Sequence, residues 1–203
     1  MTDIRHIVFD IGMVLIHYDP NLPFSRFIPD PAERKWFFDN VCTHEWNLEQ
    51  DRGRSWEEAE AALIAEYPAH EQNIRNFRRH WHEMVPHEIA GSVALMRGLI
   101  AKGYDVTLLT NFAADTLVEA RQRFPFLNET RGVTISAEIR LIKPDPAIYA
   151  HHTRTFGLDP ARTLFTDDNA ANIAAAREFG WQAIHFTGPA ALEKALAGHG
   201  IAL

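Results

Sequence analysis

The sequence predicts an α/β protein: a doubly wound parallel sheet with a small all-helical cap inserted after the first strand. Three observations carry this. Short apolar runs ending in turn or polar residues recur at residues 4–11, 104–109, 132–136, 163–166 and 182–186. From Glu88 onward they alternate with amphipathic helical stretches, the pattern of a parallel sheet covered on both faces. From about Ala32 to Val85 the apolar spacing is helical, with no strand pattern. The expected division is residues 1–16 and 87–203 as the sheet core, with residues 17–86 as the cap.

Each element has its own signal. Ile7-Val8-Phe9 leads into Asp10, and Gly12 lets the chain bend away, so a buried strand ends at a carboxylate. Pro20, Pro23, Pro29 and Pro31 then break up the chain. Trp36, Phe37 and Val41 mark a helix over 32–41. Ser55 with Glu58 forms a capping box that opens the next helix. Ile74, Phe77, Trp81 and Val85 mark a helix over 73–85, which Pro86 ends. In the core, helices are expected over 89–102, stopped by Gly103, and over 114–124. Asp145-Pro146 reads as a cap with proline in the first turn, opening a helix to Phe156. Further helices follow over 169–179, stopped by Gly180, and from Pro189 to about Ala197.

Bulk properties narrow the function. The 203 residues suit one domain with a large insertion or two small ones. The net charge of −7 argues against a nucleic-acid partner, which calls for a basic face. Cys42 is the lone cysteine, so no internal disulfide forms, which fits a reducing compartment. Asp3, Arg5 and Asp10 interrupt any signal pattern, and no apolar run reaches membrane-spanning length. A cytoplasmic protein without a membrane partner is expected.

Four strand ends carry polar residues: Asp10, Thr110-Asn111, the Lys143-Pro144 turn and Asp167-Asp168. Parallel strands point their carboxyl ends the same way, so these groups can converge. Asp10 and one of Asp167 or Asp168 can give hard oxygens to Mg²⁺. Thr110 and the amides of the following helix start can receive phosphate oxygens. Lys143 can neutralise charge on a substrate and between the carboxylates. An aspartate held in such a place can attack phosphorus.

Phe9-Asp10-Ile11-Gly12-Met13-Val14, Leu109-Thr110-Asn111, Lys143-Pro144-Asp145-Pro146 with Tyr149, and Phe165-Thr166-Asp167-Asp168-Asn169 with Asn172 carry a resemblance. In order and context they resemble the haloacid dehalogenase-like hydrolase superfamily. The resemblance implies a Rossmann-like catalytic core with a helical cap. It implies Asp10 as nucleophile, Thr110 and Asn111 on the phosphoryl group, and Lys143 balancing charge. Mg²⁺ would be held by Asp10, the Gly12 carbonyl and Asp168, with Asp167 beside or behind it. The implied activity is phosphatase action on a small phosphorylated metabolite through an aspartyl-phosphate, by a monomer or homodimer.

Gly12 departs from the pattern, because most phosphatases of the family carry a second aspartate there as general acid and base. His17 and Asp19, just past the loop, are candidates to replace it. Aspartate, apolar residue, glycine also occurs in members resembling the bacterial sugar-1-phosphate (alpha-D-glucose-1-phosphate) phosphatases, whose leaving groups are stabilised. The superfamily's 2-haloacid dehalogenases are the rival reading. They attack carbon with the equivalent aspartate, use no metal, and usually lack the adjacent acidic pair. A non-catalytic binding descendant is a further alternative, supported only by the missing acid.

The cap loop Arg52-Gly53-Arg54-Ser55 resembles one that selects substrate in related enzymes, so Arg52 and Gly53 are candidate substrate contacts. A solvated helix connection is the alternative. His80 and His82 point to different faces, and His151 and His152 read as solvated. Trp36, Trp46, Trp56 and Trp81 read mainly as packing of a small helical core, and Cys42 as apolar filler.

Overall fold

A computed structural model of the chain describes residues 3–202. Its sheet has five strands: β1 (His6–Phe9), β2 (Asp105–Thr110), β3 (Val133–Ile135), β4 (Thr163–Asp167) and β5 (Gln182–His185). Their order is β3-β2-β1-β4-β5, and every neighbouring pair is parallel. The direction of winding reverses between β1 and β4. Such a switch point leaves a crevice at the carboxyl ends of the two strands.

The stretch between β1 and β2 folds as helices α1 (Asn21–Phe27), α2 (Pro31–Asn40), α3 (His44–Asp51), α4 (Trp56–Glu66), α5 (Glu71–Arg79) and α6 (Trp81–Met84), then α7 (Ala90–Ala101). The first six form the cap. Helix α8 (Ala114–Arg123) follows β2, and α9 (Ser136–Ile139) and α10 (Pro146–Phe156) follow β3. Helix α11 (Ala170–Phe179) follows β4, and α12 (Pro189–Gly198) follows β5. Alternation along β1 sends Ile7 and Phe9 to the face covered by α7, α8 and α12, and Val8 to the face covered by α10 and α11. The first of these cores runs on into the cap through Phe24, Phe37, Phe77 and Trp81.

Capping signals took effect where side chains could reach orphan amides. Ser55 Oγ accepts from the Glu58 amide at 3.2 Å, and Asp145 Oδ1 from that of Ala147 at 2.8 Å. Three expectations need correction. The proline-rich stretch contains α1, because Pro20 precedes it and Pro23 sits in its first turn, where no intrahelical donor is needed. The single helix expected over 73–85 is two helices, interrupted at His80 (φ −106°, ψ 18°), whose ring pairs with Glu83 at 2.7 Å. His152 is sealed in the core rather than solvated. Its Nε2 meets Thr107 Oγ1 at 2.9 Å and its Nδ1 meets Thr134 Oγ1 at 2.8 Å, and burial pushes its pKa down to about 3.

Two chain crossings join cap to core, and they lie side by side. The amide of His17 donates to His87 O at 3.0 Å, and that of Ile89 to Leu15 O at 2.8 Å. Away from these crossings the cap rests on α8. Arg78 reaches both Asp115 (2.8 Å) and Glu119 (2.5 Å), and Trp56 Nε1 donates to Asp115 at 3.1 Å. Among the described residues, no helix is long and apolar enough to cross a membrane.

Candidate active site

Asp10 stands directly after β1, its amide donating to Thr166 O of β4 at 2.9 Å. That bond ties the aspartate across the switch point. Its Oδ1 accepts from the Ile11 amide at 2.7 Å and lies 2.8 Å from Lys143 Nζ. Lys143 comes from the turn before α10 and is only 3% exposed. Its ammonium also donates to Leu109 O at 3.1 Å and to Asp167 Oδ2 at 2.6 Å. Asp167, the last residue of β4, is fully buried. Its Oδ1 accepts from the Asn169 amide at 2.7 Å, and Asn172 Nδ2 lies 3.0 and 3.1 Å from its two oxygens.

Burial and like charge set the protonation states. Desolvation pushes the Asp10 carboxyl up to about 7, against the pull of Lys143 and with a further push from Asp167. Burial alone would discharge Lys143, but Asp10 and Asp167 outweigh it and hold the ammonium above its ordinary value. Asp168 is raised too, by partial burial and then by Asp167. Oxygens of Asp10, Asp167 and Asp168 lie within 4.8 Å of one another. Three carboxylates so close favour a bound cation, and an all-oxygen donor set suits Mg²⁺. Asp167 is already taken up by Lys143, Asn169 and Asn172. Asp10 and Asp168 face the cavity.

The other expected residues are placed as follows. Gly12 lines the cavity, and a Cβ added there would meet nothing within 4 Å. Thr110 is 1% exposed and its Oγ1 has no hydrogen-bond partner. Asn111 lines the cavity, and its side chain is engaged with the backbone of Lys143. Its Oδ1 accepts from the Lys143 amide at 2.8 Å and its Nδ2 donates to Lys143 O at 3.0 Å, so it pins the lysine backbone. Arg52 and Gly53 do not line the cavity. Helix α3 ends at Asp51, and the next residue turns outward, where Arg52 pairs with Glu49 at 2.5 Å. Gly53 serves the turn itself. Its φ is +95°, and a Cβ would come 2.7 Å from Ala137 O of α9.

His17 and Asp19 do not fill the gap left by Gly12 either. His17 packs on His87 with ring centroids 5.1 Å apart, and Asp19 Oδ1 accepts from the Asn21 amide at 2.8 Å at the start of α1. Neither lines the cavity. Asp51 does, and it was not singled out in the sequence. Its only signal there was its place one residue before the Arg52 loop.

The cavity has a volume of about 550 Å³ and runs from Asp10, Lys143 and Asp168 up into the cap. The upper walls include Tyr18, Phe38, Leu48, Trp56, Phe77 and Trp81, with Phe112 from the core side.

This arrangement agrees with the comparison against protein families, in which the model for haloacid dehalogenase-like hydrolases matches residues 4–180. The chain belongs to that family. It is therefore a haloacid dehalogenase-like hydrolase, and an enzyme. Sesquiterpene phosphatase astK of Aspergillus oryzae is 30% identical over 98 residues, covering 48% of this chain and 50% of that protein. (S)-2-haloacid dehalogenase 4A of Burkholderia cepacia is 29% identical over 87 residues, covering 42% and 37%. The matches thus span half or less of these relatives. Among solved structures, the HAD family enzyme bt-2542 of Bacteroides thetaiotaomicron, in complex with magnesium and inorganic phosphate, superposes with a TM-score of 0.72. It is 22% identical, covering 91% of this chain and 95% of that one, a likeness of fold.

Proposed function

We propose that this hydrolase is a Mg²⁺-dependent phosphomonoesterase that works through an aspartyl-phosphate on Asp10. The observation that carries the reading is the pairing of a buried ammonium, Lys143, with a carboxylate cluster that keeps one member, Asp168, free of it. A dehalogenase attacking carbon has no use for that second free carboxylate beside its nucleophile. In the phosphatase it would join Asp10 and the Gly12 carbonyl in holding Mg²⁺, which would supply positive charge to the phosphoryl oxygens.

The chain's own residues do the rest. Both protein contacts of the Asp10 carboxylate fall on Oδ1, leaving Oδ2 to attack phosphorus. Lys143 favours the ionised form of Asp10 against its burial and offsets negative charge in the transition state. The Thr110 hydroxyl offers an unused donor to a phosphoryl oxygen, and Asn111 fixes Lys143 from behind. Water then attacks the aspartyl-phosphate and releases inorganic phosphate.

The substrate is a small phosphorylated metabolite with a largely apolar alcohol. Aromatic and aliphatic walls reward an apolar body, whereas a sugar leaves hydroxyls unpaired against them. The likeness to a sesquiterpene phosphatase supports this over the sugar-1-phosphate reading. Asp10→Asn is the test, assayed on p-nitrophenyl phosphate with Mg²⁺. Turnover should vanish in a folded variant, and retained turnover would refute the nucleophile. Comparing kcat/KM for a prenyl monophosphate with that for a hexose phosphate tests the substrate class.

A further inference from the structure

We infer that Asp51 of the cap is the general acid and base of this enzyme, supplying from α3 the proton chemistry that Gly12 lacks. The inference rests on the phosphatase reading above. Three carboxylates line the cavity: Asp10, Asp168 and Asp51. The first two are assigned to the nucleophile and the metal, so Asp51 is the one carboxylate the cap contributes. In-line displacement puts the departing oxygen on the far side of phosphorus from Asp10, towards the cap. Asp51, at the end of cap helix α3, brings its carboxyl to the same cavity from the cap.

Its surroundings suit the task. Among the described residues, no arginine or lysine forms an ion pair with it. The Ala113 backbone and the Asp10 and Lys143 side chains are near enough to act on it, and Tyr18 feels its charge in turn. Burial pushes its carboxyl up to about 7, against the Ala113 amide and with Asp10 adding, so a proton is available near neutrality. The absence of a side chain at Gly12 leaves open space from which no competing acid reaches the ester.

The step balances. As the Asp10 oxygen–phosphorus bond forms, the ester's phosphorus–oxygen bond breaks, and the Asp51 carboxyl gives its proton to the departing alkoxide. The resulting carboxylate then takes a proton from water as that water attacks phosphorus and the bond to Asp10 breaks. Asp51 ends as it began, with alcohol and inorganic phosphate released.

The test compares wild type with Asp51→Asn, both in Mg²⁺, on n-octyl phosphate and p-nitrophenyl phosphate. For the alkyl ester, kcat/KM should fall by ~10²–10⁴, the usual share of general acid–base help, and far less for the nitrophenyl ester, whose leaving group needs no acid. The variant should also release a burst of about one p-nitrophenol per active site, because the phosphoenzyme lacks its base. Asp51→Glu should recover part of the alkyl activity, and Glu45→Gln, on the same helix but exposed and outside the cavity lining, should not change the ratio between esters. Equal losses on both esters without a burst, in a variant with unchanged near-UV circular dichroism, would overturn the inference. A wild type inert on both esters would remove the phosphatase reading and this one with it. An active wild type with an unchanged ester ratio in Asp51→Asn would remove only the role of Asp51.

Discussion

Lys143 Nζ and Asp10 Oδ1 stand 2.8 Å apart with both side chains nearly sealed from water. The same ammonium holds Asp167 at 2.6 Å, so a single positive charge serves two buried carboxylates. Removing it leaves them uncompensated, which typically costs about 3–5 kcal/mol. Lys143→Met should therefore lose both activity and stability, measured by chemical denaturation in EDTA. Mg²⁺ should restore part of the stability but not the activity.

Stability in EDTA should fall as pH rises from about 4 to 7. Asp10 and Asp51 both have carboxyls pushed up to about 7 from 3.8. In that window Asp10 and Asp51 keep two protons that the unfolded chain releases. They outweigh buried His152, held down at about 3, whose one proton works the other way until about pH 6.5, so the unfolded state gains on balance as pH rises. Thermal melts across this range check the sign.

Asp51→Asn should be slower yet more stable than wild type above pH 7. The amide avoids the cost of a half-buried charge, a gain on the order of 2 kcal/mol once partial solvation is allowed for. Stability gained together with catalysis lost marks a residue kept for chemistry. A variant less stable at pH 8 would assign Asp51 to packing.

An acid can be moved back to the expected place. The empty space over Gly12 means Gly12→Asp should fold normally. Added to Asp51→Asn, it should recover at least tenfold of the lost kcat/KM on alkyl phosphates, within the range general acids contribute. No recovery in a folded double variant would show that the missing group at Gly12 is not what limits the reaction.

Gly53→Ala should destabilise the protein by about 1–3 kcal/mol, the usual cost of a strained backbone conformation. The positive φ and the 2.7 Å approach to Ala137 O both count against a side chain. Denaturant midpoints at constant m-value measure the loss.

The sheet and the catalytic floor could be read from the chain because strand ends announce themselves. Asp10 and Asp168 close apolar strand runs and Lys143 stands just before a turn proline, and parallel topology gathers the strand ends without help from detail. The cap was less readable. Asp51 and Arg52 are adjacent carriers of opposite charge, and which one lines the cavity depends on where α3 stops. The side-chain amide of Asn111 is matched to the peptide groups of Lys143, a pairing across 32 residues that no local pattern encodes. His151 and His152 are alike in sequence. Only the helix phase of α10 sends the second between Thr107 and Thr134.

The paired crossings set the cap beside a floor that the core builds alone. His17 with His87 and Leu15 with Ile89 stitch the outgoing and returning chains together close to the nucleophile loop. Elsewhere the cap is held by Arg78 and Trp56 against α8 and by Trp81 packed on Phe112, ring centroids 5.7 Å apart. The ion pairs of Lys143 with Asp10 and Asp167 lie wholly within the core, so no cap residue is needed to assemble them.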